Sequence, residues 1–138
     1  MPLPPQLSFL NASLLVALGG GIGSWLRFVV GRAWVAAAGP ARASAFPFAT
    51  LTVNIAGSVA MGLLVGWLAR FAGQSEATRL LLAVGLLGGF TTFSSFSLEV
   101  ILLFQRGAPG LAAFYGAVSM AAGMLGLWLG LLLMRSAA

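Results

Sequence analysis

Four long apolar segments constrain this chain more than any other feature of its sequence. A helix needs about 20 mostly apolar residues to cross the hydrocarbon core of a bilayer. Charged residues, prolines and glycines divide the chain into four such segments, and we predict spans at residues 11–38, 48–69, 76–104 and 108–134. Because the connections are short, the sequence predicts a single all-α integral membrane domain with four transmembrane helices.

The composition argues against an enzyme. The 138 residues are 60% hydrophobic and 7% charged, whereas a soluble domain carries roughly 25% charged residues. The chain has no cysteine and no histidine, and its only acidic residues are Glu76 and Glu99. Nearly every usual general acid, general base and metal-binding cluster is therefore missing. In a membrane protein the net charge of +5 bears on topology first, and not on nucleic acid.

The arginines give no clear orientation in the membrane. With four spans, both termini and the middle loop lie on one side, which carries Arg70, Arg79 and Arg135. The other side carries Arg32, Arg42 and Arg106, and also Arg27 if that side chain reaches the interface. One explanation is that a small protein simply has a weak charge bias between its two sides. An equally good one is dual topology, in which copies insert in both orientations and can pair as an antiparallel dimer.

Glycines spaced four residues apart occur in every predicted span. In apolar helices this spacing creates a flat surface against which another backbone packs closely. The pairs are Gly19/Gly23, Gly62/Gly66, Gly85/Gly89 and Gly126/Gly130. We expect a tightly packed bundle, and we also expect self-association because four helices enclose little interior.

Several polar residues fall at membrane depth, where such groups are costly and usually face protein or water. They are Thr50 and Asn54 in the second span, Tyr115 and Ser119 in the fourth, Arg27 in the first and Glu99 in the third. A single hydroxyl commonly bonds to its own helix, and Arg27 reaching the interface is as good an explanation as a direct role. Asn54 differs, because its amide has two donors that its own helix does not satisfy.

The segment GGFTTFSSFSLEV, residues 88–100, combines two glycines with five hydroxyl residues. Both features disfavour a continuous helix, so we predict a break near Gly88–Thr92. Broken helices in transporters and channels bind ions, because freed carbonyls suit a cation and freed amides suit an anion. Phe93 and Phe96 share one helix face. Packing is the usual role of such a pair, but their electropositive ring edges beside Asn54 also suit the path of a small anion.

Three motifs closely resemble the Fluc (CrcB) fluoride channel family. GGFTTFSSFSLE is similar to that family's GGxTTFSTFS signature, FPFATLTVNIAGS to its GTLxVNxxGS segment, and GGGIGSWLRF to its GGxxGAxxRy first helix. The motifs occur in the same order and cover almost the whole chain. The resemblance implies a passive, fluoride-selective channel that exports toxic fluoride across the inner membrane of a bacterium. No catalysis is implied.

The resemblance also implies an architecture and a set of partners. Subunits of the family have a broken third helix and assemble as antiparallel, dual-topology homodimers. A structural sodium ion, which is not transported, sits at the dimer centre. The expected partners are therefore fluoride, sodium, the lipid bilayer and a second copy of the chain, with no nucleic acid.

The same resemblance assigns roles to individual residues. Phe93 and Phe96 correspond to the pore phenylalanines, and Asn54 corresponds to the pore asparagine. Gly88 and Thr91 correspond to the residues whose backbone carbonyls bind sodium. The rest of the expected ion pathway is Thr50, Ser94, Glu99, Tyr115 and Ser119. Arg27 corresponds to a vestibule or structural arginine. Two positions depart from the family pattern, namely Ser95, where threonine is common, and Gly123, where some members carry serine.

Two other classes of membrane protein remain to be weighed. Small four-helix multidrug exporters are also short and insert both ways, but they exchange protons at a carboxylate that usually lies in the first span. The first span here has no carboxylate, so a proton-coupled antiporter would have to use Glu99. A structural subunit that transports nothing is disfavoured by Asn54 and the TTFSSFS run, since contact with lipid requires no such groups.

Overall fold

The computed structural model describes residues 7–71 and 75–136, and the regular structure in these ranges is entirely helical. The elements are α1 (Phe9–Ala38), α2 (Pro40–Ala45), α3 (Phe48–Phe71), α4 (Glu76–Thr78), the π-helix π1 (Arg79–Leu87), α5 (Gly88–Phe90), α6 (Phe93–Gln105) and α7 (Pro109–Ser136). The elements from α4 to α6 form one span, Glu76–Gln105. Together with α1, α3 and α7 it makes four helices long and apolar enough to cross a membrane.

Local sequence signals set the ends of these helices. The hydroxyl of Ser8 accepts a hydrogen bond from the amide of Asn11 and caps the start of α1. Gly39 ends α1 with a φ of 82°, and Gly107 follows α6 with a φ of 78°. Glycine reaches this left-handed region without steric cost. A proline opens the helix after each turn, in the position where its missing N–H costs least.

The third span contains two residues of extended backbone. Thr91 has φ and ψ of −79° and 160°, and Thr92 has −151° and 124°. The hydroxyl of Thr92 accepts a hydrogen bond of 3.2 Å from the amide of Ser95 and so caps the start of α6. Gly88 and Gly89 weaken the helix before this point, and the threonine hydroxyls compete for its backbone groups.

Glycines allow the helices to pack as two close pairs. Helix α1 lies against π1 and α5, while α3 and α7 form the most extensive helix–helix contact. A Cβ atom at Gly23 would overlap the carbonyl oxygen of Leu86, and one at Gly62 would overlap that of Leu127. Both contacts therefore bring backbone against backbone, as small residues permit in membrane helices.

The most deeply buried side chains lie where α6 meets α7. Leu103, Ala112 and the fully buried Tyr115 form this core, and Phe46 and Phe96 pack against it. Most other large apolar side chains lie on the outside of the helix bundle, as expected for a surface that faces lipid or another protein. The core adjoins the first turns of α6, which carry the polar residues singled out from the sequence.

We expect Gly23→Ala to destabilise the protein, because the new methyl group overlaps the backbone of Leu86. Overpacking of this kind costs roughly 1–3 kcal/mol. Gly21→Ala is the matched control, since no other helix in the described part of the chain comes within 4 Å of a Cβ at that position. Thermal unfolding of the purified variants in detergent measures the effect. Equal melting temperatures for the two variants would show that the close pairing of α1 with π1 is wrong.

Candidate functional site

The side chain of Asn54 on α3 pairs with the extended backbone of the third span. Its Nδ2 donates to the carbonyl oxygen of Thr92 at 3.0 Å, and its Oδ1 accepts from the amide of Thr92 at 2.8 Å. One side-chain amide thus satisfies both polar groups of one residue, as a neighbouring β-strand would. A carboxylate supplies only the acceptor, and an aliphatic side chain supplies neither group. Asparagine at this position therefore compensates directly for the missing helical hydrogen bonds.

This pairing changes the bonding of two backbone carbonyls. In a continuous helix the amide of Thr92 would bond the carbonyl of Gly88, and the amide of Ser95 would bond that of Thr91. Here the first amide donates to Asn54 and the second to the hydroxyl of Thr92. The carbonyls of Gly88 and Thr91 are thereby released from the helical pattern. Gly88 is exposed and Thr91 is half-buried.

Three of the predicted polar residues meet at the carboxylate of Glu99. The carboxylate of Glu99 on α6 accepts a hydrogen bond of 2.6 Å from the hydroxyl of Thr50 on α3. Its second oxygen accepts another, also of 2.6 Å, from the hydroxyl of Tyr115 on α7. Both carboxylate oxygens therefore have a donor, and these short contacts have the length of charge-assisted hydrogen bonds. One carboxylate links three of the four spans.

Aromatic rings lead from the surface of the subunit to this junction. Phe93 is 73% exposed, and its ring centroid lies 5.7 Å from that of Phe96 at an interplanar angle of 43°. The ring of Phe96 lies 5.3 Å from that of Tyr115, tilted by 53°. Tilted rings present their electropositive edges to one another and to their surroundings.

An open groove of about 380 Å³ follows these rings. Its polar lining consists of Asn54, Ser58, Thr91, Thr92 and Ser119, with Phe93, Phe96 and Gly123 beside them. Ser119 is 8% exposed, and its hydroxyl has no hydrogen-bond partner within the described part of the chain. A buried hydroxyl without a partner is unusual in proteins, so the groove is suited to a ligand that accepts hydrogen bonds.

A second cavity of about 430 Å³ also borders Thr92. It is lined by Arg27, Thr50, Glu99, Thr92 and Ser95, among others. Arg27 is half-buried there and faces the same space as Glu99. Thr92 therefore borders both a groove with neutral polar groups and a cavity with charged ones.

The structure thus places the predicted residues in three groups. Asn54, Phe93, Phe96 and Ser119 line the groove, Thr50, Glu99 and Tyr115 form the hydrogen-bonded junction, and Arg27 lines the second cavity. Ser94 is exposed, with its hydroxyl 3.3 Å from that of Thr92. Gly88 belongs to none of these groups, and Thr91 borders the groove.

Two residues important to this geometry were not singled out from the sequence. Thr92 is the partner of Asn54 and the cap of α6, and a threonine directly before an apolar helical segment was the available signal. Gly57 lies on α3, and a Cβ atom there would overlap the methyl group of Thr91. This glycine allows α3 to approach the extended backbone. Its position about one turn after Asn54, on the same face of α3, was the signal for a close contact there.

Comparisons with known proteins identify the family. Residues 14–131 match the family described as CrcB-like protein, Camphor Resistance (CrcB). A protein of Novosphingobium aromaticivorans named fluoride-specific ion channel FluC is 56% identical over 129 residues, which cover 94% of this chain and 100% of that relative. A protein of the same name from a Chelativorans species is 54% identical, over 89% of this chain and 95% of the relative. Another from Agrobacterium fabrum is 50% identical, over 88% of this chain and 94% of the relative.

We expect Asn54→Leu to destabilise the protein by about 2–6 kcal/mol, because two backbone groups of Thr92 lose their partners at roughly 1–3 kcal/mol each. Hydrogen exchange at the amide of Thr92 should become faster. Ser97→Ala is the control, since the Ser97 hydroxyl donates only to the carbonyl of Phe93 in its own helix. Thermal unfolding and hydrogen–deuterium exchange of the purified variants measure both effects. Unchanged exchange at Thr92 in the leucine variant would contradict the pairing.

Proposed function

The chain is a multi-pass bacterial membrane protein of the CrcB-like family, and from this premise we propose that it is a fluoride-selective passive channel that exports fluoride from the cytoplasm. The observation that carries the proposal is the groove in which Asn54, Ser119 and the rings of Phe93 and Phe96 lie together. All of these groups are uncharged.

Uncharged donors suit the passage of fluoride. Fluoride is small and strongly hydrated, so a path through the membrane has to replace the hydrogen bonds that water supplies. Nδ2 of Asn54 carries two hydrogens, and the carbonyl of Thr92 takes one of them. The other is available to the groove, as is the unpartnered hydroxyl of Ser119. Because no fixed positive charge lies in this lining, the anion is held weakly enough to leave, as conduction requires.

A passive channel is sufficient for export. Fluoride enters a cell as neutral hydrogen fluoride from acidic surroundings and dissociates inside. The membrane potential, negative inside, then favours outward movement of the anion by about 2.3 kcal/mol per 100 mV. The protein needs only to provide a selective path, and no chemical step or energy-coupling residue is required.

We further propose that the carbonyls of Gly88 and Thr91 bind a structural sodium ion. Unwound backbone carbonyls are established ligands for this ion in membrane proteins, and these two are released from helical bonding by Asn54 and Thr92. Within residues 7–71 and 75–136 no cluster of three histidine, cysteine, aspartate or glutamate side chains is present, so carbonyls are the suitable donors.

The sodium proposal leads to the proposed assembly. Two carbonyls cover only one side of a cation, so a second subunit would supply the other pair. A two-fold axis through the ion satisfies this requirement in an antiparallel homodimer. Gly88 lies on the exposed surface, where a second copy has access to it. The nearly equal numbers of arginines on the two sides of the membrane support insertion in both orientations.

The proton-coupled alternative is not favoured. Both oxygens of Glu99 accept short hydrogen bonds, from Thr50 and Tyr115, so this carboxylate is already engaged by two neighbouring helices. The relatives described above are named fluoride-specific ion channels. Glu99 is therefore proposed to border the ion pathway without exchanging protons.

Fluoride efflux from liposomes that contain only this protein tests the proposed function. We expect efflux down the fluoride gradient with equal pH on both sides, and at least a tenfold reduction, or about 1.4 kcal/mol in barrier height, in Phe96→Ile and in Asn54→Asp. Phe104→Ile is the matched control, because Phe104 is an exposed phenylalanine of the same helix.

Two results would contradict the proposal. Unchanged efflux in both pathway variants would mean that the groove is not the path. Efflux that requires a pH gradient, and that disappears in Glu99→Gln, would favour the antiporter.

We expect sodium to stabilise the dimer. A ligand that binds only the folded, assembled state at 100 times its Kd adds about 2.7 kcal/mol of stability. Thermal unfolding and size-exclusion chromatography in sodium chloride, compared with N-methylglucamine chloride at equal ionic strength, measure this effect. The same melting temperature and the same mass in both salts would argue against a structural sodium ion.

A further inference from the structure

The row of hydroxyl groups on α7 ends at Gly123. Tyr115 and Ser119 lie one helical turn apart, and Gly123 occupies the next position on the same face. In place of a side chain from α7, the hydroxyl oxygen of Ser58 on α3 lies 3.5 Å from where a Cβ atom at Gly123 would be. Among the described residues, and apart from the neighbouring backbone of α7 itself, it is the only atom within 4 Å of that point. Ser58 therefore fills the position at which the α7 row stops.

The hydroxyl of Ser58 is not used by its own helix. Serine and threonine in membrane helices commonly donate to the carbonyl four residues earlier. Thr52, Thr91 and Ser97 do so here, at 2.8, 2.9 and 2.9 Å. Among the described residues Ser58 forms no such bond, and it lines the same groove as Ser119. Two hydroxyls in one groove are thus left without an intramolecular acceptor.

We infer that Ser58 donates a hydrogen bond to the anion in the groove and extends the ion pathway along α3, one helical turn beyond Asn54. This inference rests on the proposed function. Asn54 and Ser58 lie one turn apart on α3, so donors from this helix face Ser119 across the groove. An anion leaving Asn54 and Ser119 then meets a further hydroxyl where α7 offers only the bare backbone of Gly123.

The competing explanation is that Ser58 is simply small enough for α3 to pack against α7. Moving the hydroxyl between helices separates the two roles. Ser58→Ala removes the donor and leaves the volume nearly unchanged. Adding Gly123→Ser to this variant restores a hydroxyl from the opposite helix, in space that Ser58→Ala has partly vacated. Adding Gly123→Ala instead supplies a carbon atom without the hydroxyl, and is the matched control.

Fluoride efflux from liposomes is measured for the wild type, Ser58→Ala and the two double variants. We expect about a tenfold decrease for Ser58→Ala, as for loss of one donor to a charged acceptor. Ser58→Ala/Gly123→Ser should recover most of the lost efflux, whereas Ser58→Ala/Gly123→Ala should stay low. Dimer content and melting temperature are measured for each variant to confirm that all four are folded.

Several outcomes would overturn the inference. Wild-type efflux in Ser58→Ala would show that the hydroxyl is not needed, and equal recovery by serine and alanine at position 123 would show that only volume matters. Efflux in the serine double variant no higher than in the alanine double variant would also contradict it. If the wild type itself passed no fluoride, the proposed function would fail, and this inference with it.

Discussion

The pairing of Asn54 with Thr92 is the interaction on which the rest of the structure depends. Extended backbone in the middle of a membrane span exposes an amide and a carbonyl where no water is available. Each such group costs several kcal/mol when it has no partner. The asparagine side chain supplies both partners at 3.0 and 2.8 Å. With this cost removed, the third span can leave the helical conformation at Thr91 and Thr92, and α6 can begin with Phe93 beside the groove.

Close helix packing holds the side chain of Asn54 opposite the backbone of Thr92. Gly57 allows α3 to approach Thr91, and the glycine contacts between α3 and α7 fix Asn54, Ser58 and Ser119 around one groove. On the other side, α1 packs against π1 and α5. The carboxylate of Glu99 then ties α6 to α3 and α7 through two hydroxyls. The polar groups are thus positioned by backbone contacts and hydrogen bonds, without an ion pair among them.

Much of this arrangement follows from the sequence, and some of it does not. Four apolar helices and membership of the family were predicted and are confirmed. That Asn54 needs partners outside its helix follows from its chemistry. That Thr92 is the partner does not, because the two residues are 38 positions apart and the register between two helices is set by tertiary packing. The π-helix Arg79–Leu87 was not predicted either. A continuous apolar run is compatible with both an α-helix and a π-helix, and the π-helix is the segment that packs against α1.

An experimental structure of the protein in a lipid nanodisc, at a resolution that places carbonyl oxygens, is the most direct test of the central claim. The account predicts extended backbone at Thr91 and Thr92, the Asn54 amide opposite Thr92, and the rings of Phe93 and Phe96 beside the groove. A continuous helix through residues 88–96 with Asn54 pointing into lipid would contradict it.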